Sequence, residues 1–395
     1  MNEQKFSIDI AYKSLNKLDE ELCGDKVEIL HTKDSHILIL ADGMGSGVKA
    51  NILATLTSKI LGTMFLNGAN LDDCVETIAK TLPICQERLV AYATFSILQV
   101  FDSGEAYLVE YDNPSCIFIR DGKLSLIPEN IREIEGKKIN EYRFHVKKGD
   151  TFVLTSDGTI YAGAGKLFNL NWTWDSMSSH AVKAAHSTRS AARLATVLSK
   201  ACDDLYEGRP GDDTTVAVMR ISQKKLVKLM TGPPRHPEND EQAVKQFMEG
   251  DAYRIVSGGA TSNIISRVLD RKINDEPNQV MHPDIPPIAS IDGIDLTTEG
   301  VLTLSHTLKL LERYASGNEI DDAFYDKLDE RNGSSMIARV LIEECTDLEI
   351  ILGTAVNAAH QKANLAFRLH ARNQLAEHLK GVMEKMGKHV TIAYY

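Results

Sequence analysis

Short apolar runs with strand character recur through the first half of the chain, broken by polar or glycine-containing turns, while long helical periodicities are few. Phe6–Ala11, Val27–His31 and His36–Ala41 read as strands, and the linker Thr32–Ser35 predicts a hairpin between the last two. Beyond Gly47, the positions Ala50, Leu53, Ala54, Thr57, Ile60, Leu61 and Met64 follow the spacing of a helix with one buried face. A second helix is expected over Leu71–Leu82, stopped by Pro83. Strands resume at Tyr92–Phe101, Glu105–Glu110, Cys116–Arg120, Lys123–Leu126, Arg143–Val146 and Thr151–Thr155, with turns at Ser103-Gly104 and Asp121-Gly122. A helix over Ser187–Leu205 then precedes a last strand, Thr214–Ile221. Runs of strands with few, long helices predict an α+β domain over residues 1–222.

Near Ser222–Lys225 the pattern changes. Leu226–Met230, Tyr253–Val256, Leu348–Leu352 and Val390–Tyr394 are short strands separated by helix-length segments, the alternation of a parallel-sheet α/β domain, here residues 225–395. Three loops follow predicted strands: Thr231-Gly232-Pro233-Pro234, Ser257 to Asn263, and Gly353 to Asn357. Ligands of open α/β sheets sit at the carboxyl ends of strands, and a helix N-terminus with free N–H groups suits an anion. Gly258, Gly259, Thr261 and Asn263 are therefore candidate residues for a small anionic ligand, with His360, Lys362, Arg368 and Arg372 as nearby positive charge. The alternative is that Thr261 or Ser262 caps a helix and Gly258-Gly259 makes a turn.

Composition narrows the partners. The 395 residues suffice for two domains, and a formal net charge of −11 argues against a general nucleic-acid binder, which needs a basic patch. A protein or a small ligand is the expected partner. Six cysteines without a C-x-x-C pair, a polar N-terminus and no stretch of about 20 apolar residues predict a cytosolic chain that does not engage a membrane.

The chemistry centres on Ile37 to Gly47, an apolar strand running into Asp42-Gly43-Met44-Gly45-Ser46-Gly47 and then a helix. Echoes stand at Thr155-Ser156-Asp157-Gly158 and Gly211-Asp212-Asp213-Thr214-Thr215. Three aspartates at strand ends predict carboxylates converging at one sheet edge, and such sets favour hard divalent cations, Mn²⁺ or Mg²⁺. Two ions about 3.5–4 Å apart can hold a hydroxide and a phosphate ester in line. A dinucleotide fingerprint fails because Val48 stands near the third glycine's place, and Gly163-Ala164-Gly165-Lys166 is no P-loop.

These motifs, with Gly24-Asp25 before them and Val216-Ala217-Val218 after, resemble over residues 1–222 the PPM-type metal-dependent serine/threonine protein phosphatases, in the SpoIIE-like bacterial branch. The resemblance implies an α-β-β-α sandwich, two antiparallel sheets flanked by helices, holding two Mn²⁺ or Mg²⁺ ions. It implies that Asp42 bridges both ions, that Gly43 offers its carbonyl to one of them, that Asp157 and Asp212 complete the ligands of the first ion, that Asp25 serves the second ion, and that Asp213 supports them. Water held by metal would be the nucleophile, and the substrate a phosphorylated protein such as an anti-sigma antagonist. This chain departs from eukaryotic members in having Met44 after Asp-Gly, where they carry histidine, and in having no arginine within residues 1–24. Lys13, Lys17 and Lys49 are candidates for steering phosphate, with a solvated face as the ordinary alternative. A second reading is a weak or regulated PPM-fold protein whose C-terminal domain binds a small anion or a partner, and a third is a two-metal hydrolase of a small phosphoester.

Overall fold

A computed structural model of the chain describes residues 6–81, 93–134, 137–164, 171–275, 289–317, 320–355 and 365–395. It divides into two compact units, Met1–Gln223 and Lys224–Tyr395.

The first unit opens with β1 (Ser7–Leu15), β2 (Asp25–His31), β3 (Ser35–Gly43), α1 (Gly47–Leu66) and α2 (Leu71–Thr81). A run of strands follows: β4 (Ala93–Phe101), β5 (Glu105–Tyr111), β6 (Ile117–Arg120), β7 (Lys123–Leu124), β8 (Asn130–Ile134), β9 (Lys137–His145) and β10 (Thr151–Thr155). The one-turn α3 (Asp157–Ile160), then α4 (Trp174–Ser187), α5 (Ala191–Leu205) and β11 (Thr214–Ser222) complete it. Two antiparallel sheets result, ordered β1-β11-β10-β6-β7 and β2-β3-β4-β5-β9-β8.

Strand periodicity explains the layers. Along β3, Leu38 and Leu40 enter the core between the sheets with Phe118, Phe152, Leu154 and Met219, while Ile37, Ile39 and Ala41 pack under Leu53, Leu61 and Phe65 of α1. Burial on both faces is why this strand reads as one apolar run. On the far side, Ile119, Val153, Val216 and Val218 meet Met177 and Ala181 of α4 and Leu194 and Leu198 of α5. The order is helices, sheet, sheet, helices, the expected α-β-β-α sandwich.

Several local expectations are corrected. The helix expected over Ser187–Leu205 starts only at Ala191: Ser187 ends the separate, unforeseen α4, Thr188 is extended, and the Ser190 hydroxyl accepts the N–H of Arg193 to start α5 afresh. The strand expected at Arg143–Val146 is the end of the longer β9, paired with β5 and with the unforeseen β8. Leu82, Pro83 and Tyr92 lie outside the described residues.

The second unit carries β12 (Leu226–Thr231), α6 (Asp240–Met248), β13 (Tyr253–Ser257), α7 (Gly259–Leu269), β14 (Ile273–Asp275), β15 (Ala289–Ile291) and β16 (Leu296–Thr298). After these come α8 (Val301–Ser316), α9 (Asp322–Leu328), α10 (Gly333–Glu343), β17 (Asp347–Leu352), α11 (Leu365–Lys385) and β18 (His389–Tyr394). One sheet, β14-β15-β16-β13-β12-β17-β18, is parallel from β16 to β18 and ends in the antiparallel β14 and β15. Residues of α8, α9, α10 and α11 cover one face and those of α6 and α7 the other. The antiparallel extension was not expected, since strands of three residues leave no periodic signal.

Candidate metal centre

Strand register builds the site. Asp25 opens β2 and stands directly across from Asp42, the penultimate residue of β3. Two carboxylates in that relation repel, an arrangement strands avoid unless something offsets the charge. In the other sheet β10 pairs with β11, and beyond the pair the Ser156 N–H donates to the Thr215 carbonyl at 3.1 Å and the Thr215 N–H to Ser156 Oγ at 2.9 Å. These bonds set Asp157, at the start of α3, beside Asp212 and Asp213 in the approach to β11. Tyr206 locks the arrangement by donating its hydroxyl to the Gly158 carbonyl at 2.8 Å.

Three of these aspartates, Asp25, Asp42 and Asp157, feel the charges of the others. The Asp42 carboxyl is pushed up to about 9, first by burial and then by the charges of Asp25, Asp157, Asp212 and Asp213. Asp25 rises to about 7, mainly by burial and secondarily through Asp213 and Asp157, against the opposing pull of the Ser156 and Thr215 hydroxyls. Asp157 is raised by burial and by Asp212, with a hydrogen bond to Asp42 in opposition. Asp42, Asp157, Asp212 and Asp213 line a cleft of about 200 Å³, with Met44, Thr94, Tyr111 and Asp112 on its walls. Asp25, only 4% exposed, lies behind that lining.

The donor set suits a hard cation. Among the described residues, Oδ2 of Asp213 is buried without a hydrogen-bond partner, and the buried Asp25 carboxylate has only the Ser156 and Thr215 hydroxyls beside it, neither in good hydrogen-bond geometry. Such orphans are costly unless a cation or water satisfies them. Among the described residues no three carboxylate, imidazole or thiol side chains already form a closed cage. Asp42, Asp157, Asp212 and Asp213 share one rim, with Asp42 and Asp157 joined by a hydrogen bond. All-oxygen chemistry of this kind fits Mg²⁺ or Mn²⁺.

Gly43 has a packing reason of its own: a Cβ there would stand 2.0 Å from the Ala50 carbonyl oxygen in the first turn of α1. Of the candidate lysines, Lys17 reaches the site. Its Nζ is 3.7 Å from Asp212 Oδ1, and its backbone N–H donates to Asp213 Oδ1 at 3.0 Å. Lys49 is exposed on α1 and Lys13 lies across from Val216 on β1. Sequence reasoning missed the wall from Thr94 to Asp112, because its residues carry no motif. A left-handed Asp112, φ 55°, ending β5 is the one local trace of it. Trp172 packs against α4 and α5 and donates its indole N–H to the Thr159 carbonyl at 2.8 Å, which is a structural role.

In the second unit, Thr261 is buried in α7 and its hydroxyl accepts the Gly232 N–H at 2.9 Å, while Gly258 takes φ +120° as the helix begins. Gly259 and Asn263 are exposed. Asn357, His360 and Lys362 lie outside the described residues.

Part of the chain is similar to known proteins. A family model described as "Stage II sporulation protein E (SpoIIE)" matches residues 32–222. Stage II sporulation protein E of Bacillus subtilis (strain 168) is 25% identical over 188 residues, which are 46% of this chain and 22% of that protein. The chain thus spans about a fifth of the length of this curated relative. Among solved structures, the PP2C phosphatase domain with a fragment of the regulatory domain of SpoIIE from Bacillus subtilis superposes with a TM-score of 0.48 at 17% identity, covering 56% of this chain and 65% of that one. The RsbU and RsbW domains of Rv1364c from Mycobacterium tuberculosis give 0.46 at 18%, covering 61% and 68%. Residues 32–222 are thus similar to the SpoIIE family, the branch that the motifs around Asp42, Asp157 and Asp212 resemble.

Proposed function

We propose that residues 1–222 form a Mn²⁺- or Mg²⁺-dependent protein phosphatase that hydrolyses phosphoserine or phosphothreonine in a signalling protein. The observation that carries this reading is the delivery of Asp42, Asp157 and Asp212 to one cleft rim, where burial first and the neighbouring carboxylates second push the Asp42 carboxyl up to about 9. Asp42 would be shared between two ions, Asp157 and Asp212 would hold the first with the Gly43 carbonyl, and Asp25 would serve the second from beneath. Asp213 would act as a bracket, since its Oδ1 already accepts the Lys17 N–H.

When bound, such ions neutralise phosphate charge and activate water. The chain's own residues do the rest. The rigid β2–β3 and β10–β11 pairs fix the carboxylates, which limits reorganisation during the reaction. Met44 on the cleft wall offers no proton, so protonation of the leaving alkoxide would fall to water or to another group of the cleft. Lys17 shares Asp212 with any cation and so sets how tightly that cation is held.

The test is phosphopeptide hydrolysis by the full chain in EDTA, Mg²⁺ or Mn²⁺, beside Asp42→Asn and Asp157→Asn. Metal-dependent turnover abolished in both variants is expected. Turnover that persists in EDTA or survives Asp42→Asn rejects the reading, and higher efficiency on a nucleotide than on a phosphopeptide transfers it to a small-phosphoester hydrolase.

A further inference from the structure

The second unit contains a half-buried cation, Arg372, with no counter-charge among the described residues. Its parallel strands lie in the order β16-β13-β12-β17-β18, so the chain builds outward from β12 on one side and then returns to build outward from β17 on the other. The reversal falls between β12 and β17, and crevices at the carboxyl ends of strands flanking such a reversal are where open α/β sheets receive ligands. Here those ends carry Gly232 and Gly353.

The backbone at this place is stitched into a floor. The Gly353 N–H donates to the Thr231 carbonyl and the Ala355 N–H to the Pro233 carbonyl, both at 3.0 Å. A Cβ on Gly353 would stand 2.1 Å from the Gly232 carbonyl oxygen, and one on Gly232, at φ +82°, would stand 2.4 Å from Arg372 Nη1. Arg372 arrives from α11 and donates from Nη1 to the Gly353 carbonyl at 3.1 Å. No ion pair to a carboxylate is formed by it among the described residues, and burial alone draws its pKa below the ordinary guanidinium value. Buried arginines are normally paired, and a guanidinium has five N–H donors, of which one carbonyl engages few.

We propose that Arg372, over the Gly232–Gly353 floor, is an oxyanion-binding site that takes the phosphate or carboxylate group of a small molecule. A planar fork of donors matches either group in a two-point contact. The Gly258 loop supports the floor, since Thr261 accepts the Gly232 N–H. The inference is independent of the phosphatase reading, because it concerns the second unit alone.

The experiment is calorimetric titration of the full chain, stripped of metal beforehand and held at constant ionic strength in chelator-free buffer so that the acidic cleft of the first unit repels anions, with inorganic phosphate and separately with citrate. Wild type should bind at least one of them, which assigns the group. Arg372→Gln should weaken that binding about tenfold or more, and Arg372→Lys, which keeps the charge without the fork, by a smaller factor. Absence of binding to both anions in wild type overturns the site, as does unchanged affinity in a folded Arg372→Gln protein. Should that variant fail to fold, unchanged affinity in Arg372→Lys overturns it instead.

Discussion

Asp42 holds a proton at neutral pH in the metal-free chain, because its carboxyl is pushed up to about 9 by burial and four neighbouring carboxylates. Asp25 follows at about 7. Unfolded aspartates titrate near 4, so over the window from about 4 to 9 the folded state binds more protons than the unfolded state. Stability from these groups is therefore full at acid pH and is lost as pH rises through about 7 and then about 9. The melting temperature of metal-free protein should fall between pH 5 and pH 9, and saturating Mn²⁺ or Asp42→Asn should flatten the fall. A metal-free melting temperature that climbs over that range would contradict the coupling. Lys17 belongs to the same electrostatics. Removing its charge from beside Asp212 in Lys17→Gln should tighten Mn²⁺ binding roughly threefold or more in direct titration, modest because the pair is partly solvated.

At the scale of elements, the join between β3 and α1 is the stiffest part of the site. Gly43 lies against the Ala50 carbonyl so closely that any side chain must push α1 away from the sheet. Gly43→Ala should cost about 1–3 kcal/mol of stability by overpacking and weaken Mn²⁺ binding, because the displaced backbone carries Asp42 with it. Chemical denaturation and calorimetry check the two effects, and a Gly43→Ala variant with native stability would show that α1 is looser than this packing requires. The junction also gives the helix mechanical leverage over Asp42, since Leu53, Ala54 and Leu61 seat α1 on the strand that bears it.

For the whole molecule, the two units have separate cores. Residues 1–223 and residues 224–395 expressed separately should each give a cooperative thermal transition. Mn²⁺ should raise the first and leave the second in place, because the gathered carboxylates belong to the first unit alone. A shift of equal size in both would remove the metal site from the Asp42 cleft.

Much of this was legible in the residues. The run Ile37 to Ala41 announced an apolar strand, the glycines after Asp42 announced a turn into a helix, and the alternation beyond Lys225 announced a parallel sheet. These signals are local, since strand and helix periods and turn chemistry act over a few neighbouring positions. Only the tertiary structure set Asp25 across from Asp42, brought Lys17 to Asp212, paired β8 with β9 and carried Arg372 to Gly353. Each joins distant chain segments or rests on a strand too short to show a period. Their partners are chosen by which cores close over which faces, and no single stretch of sequence contains that choice.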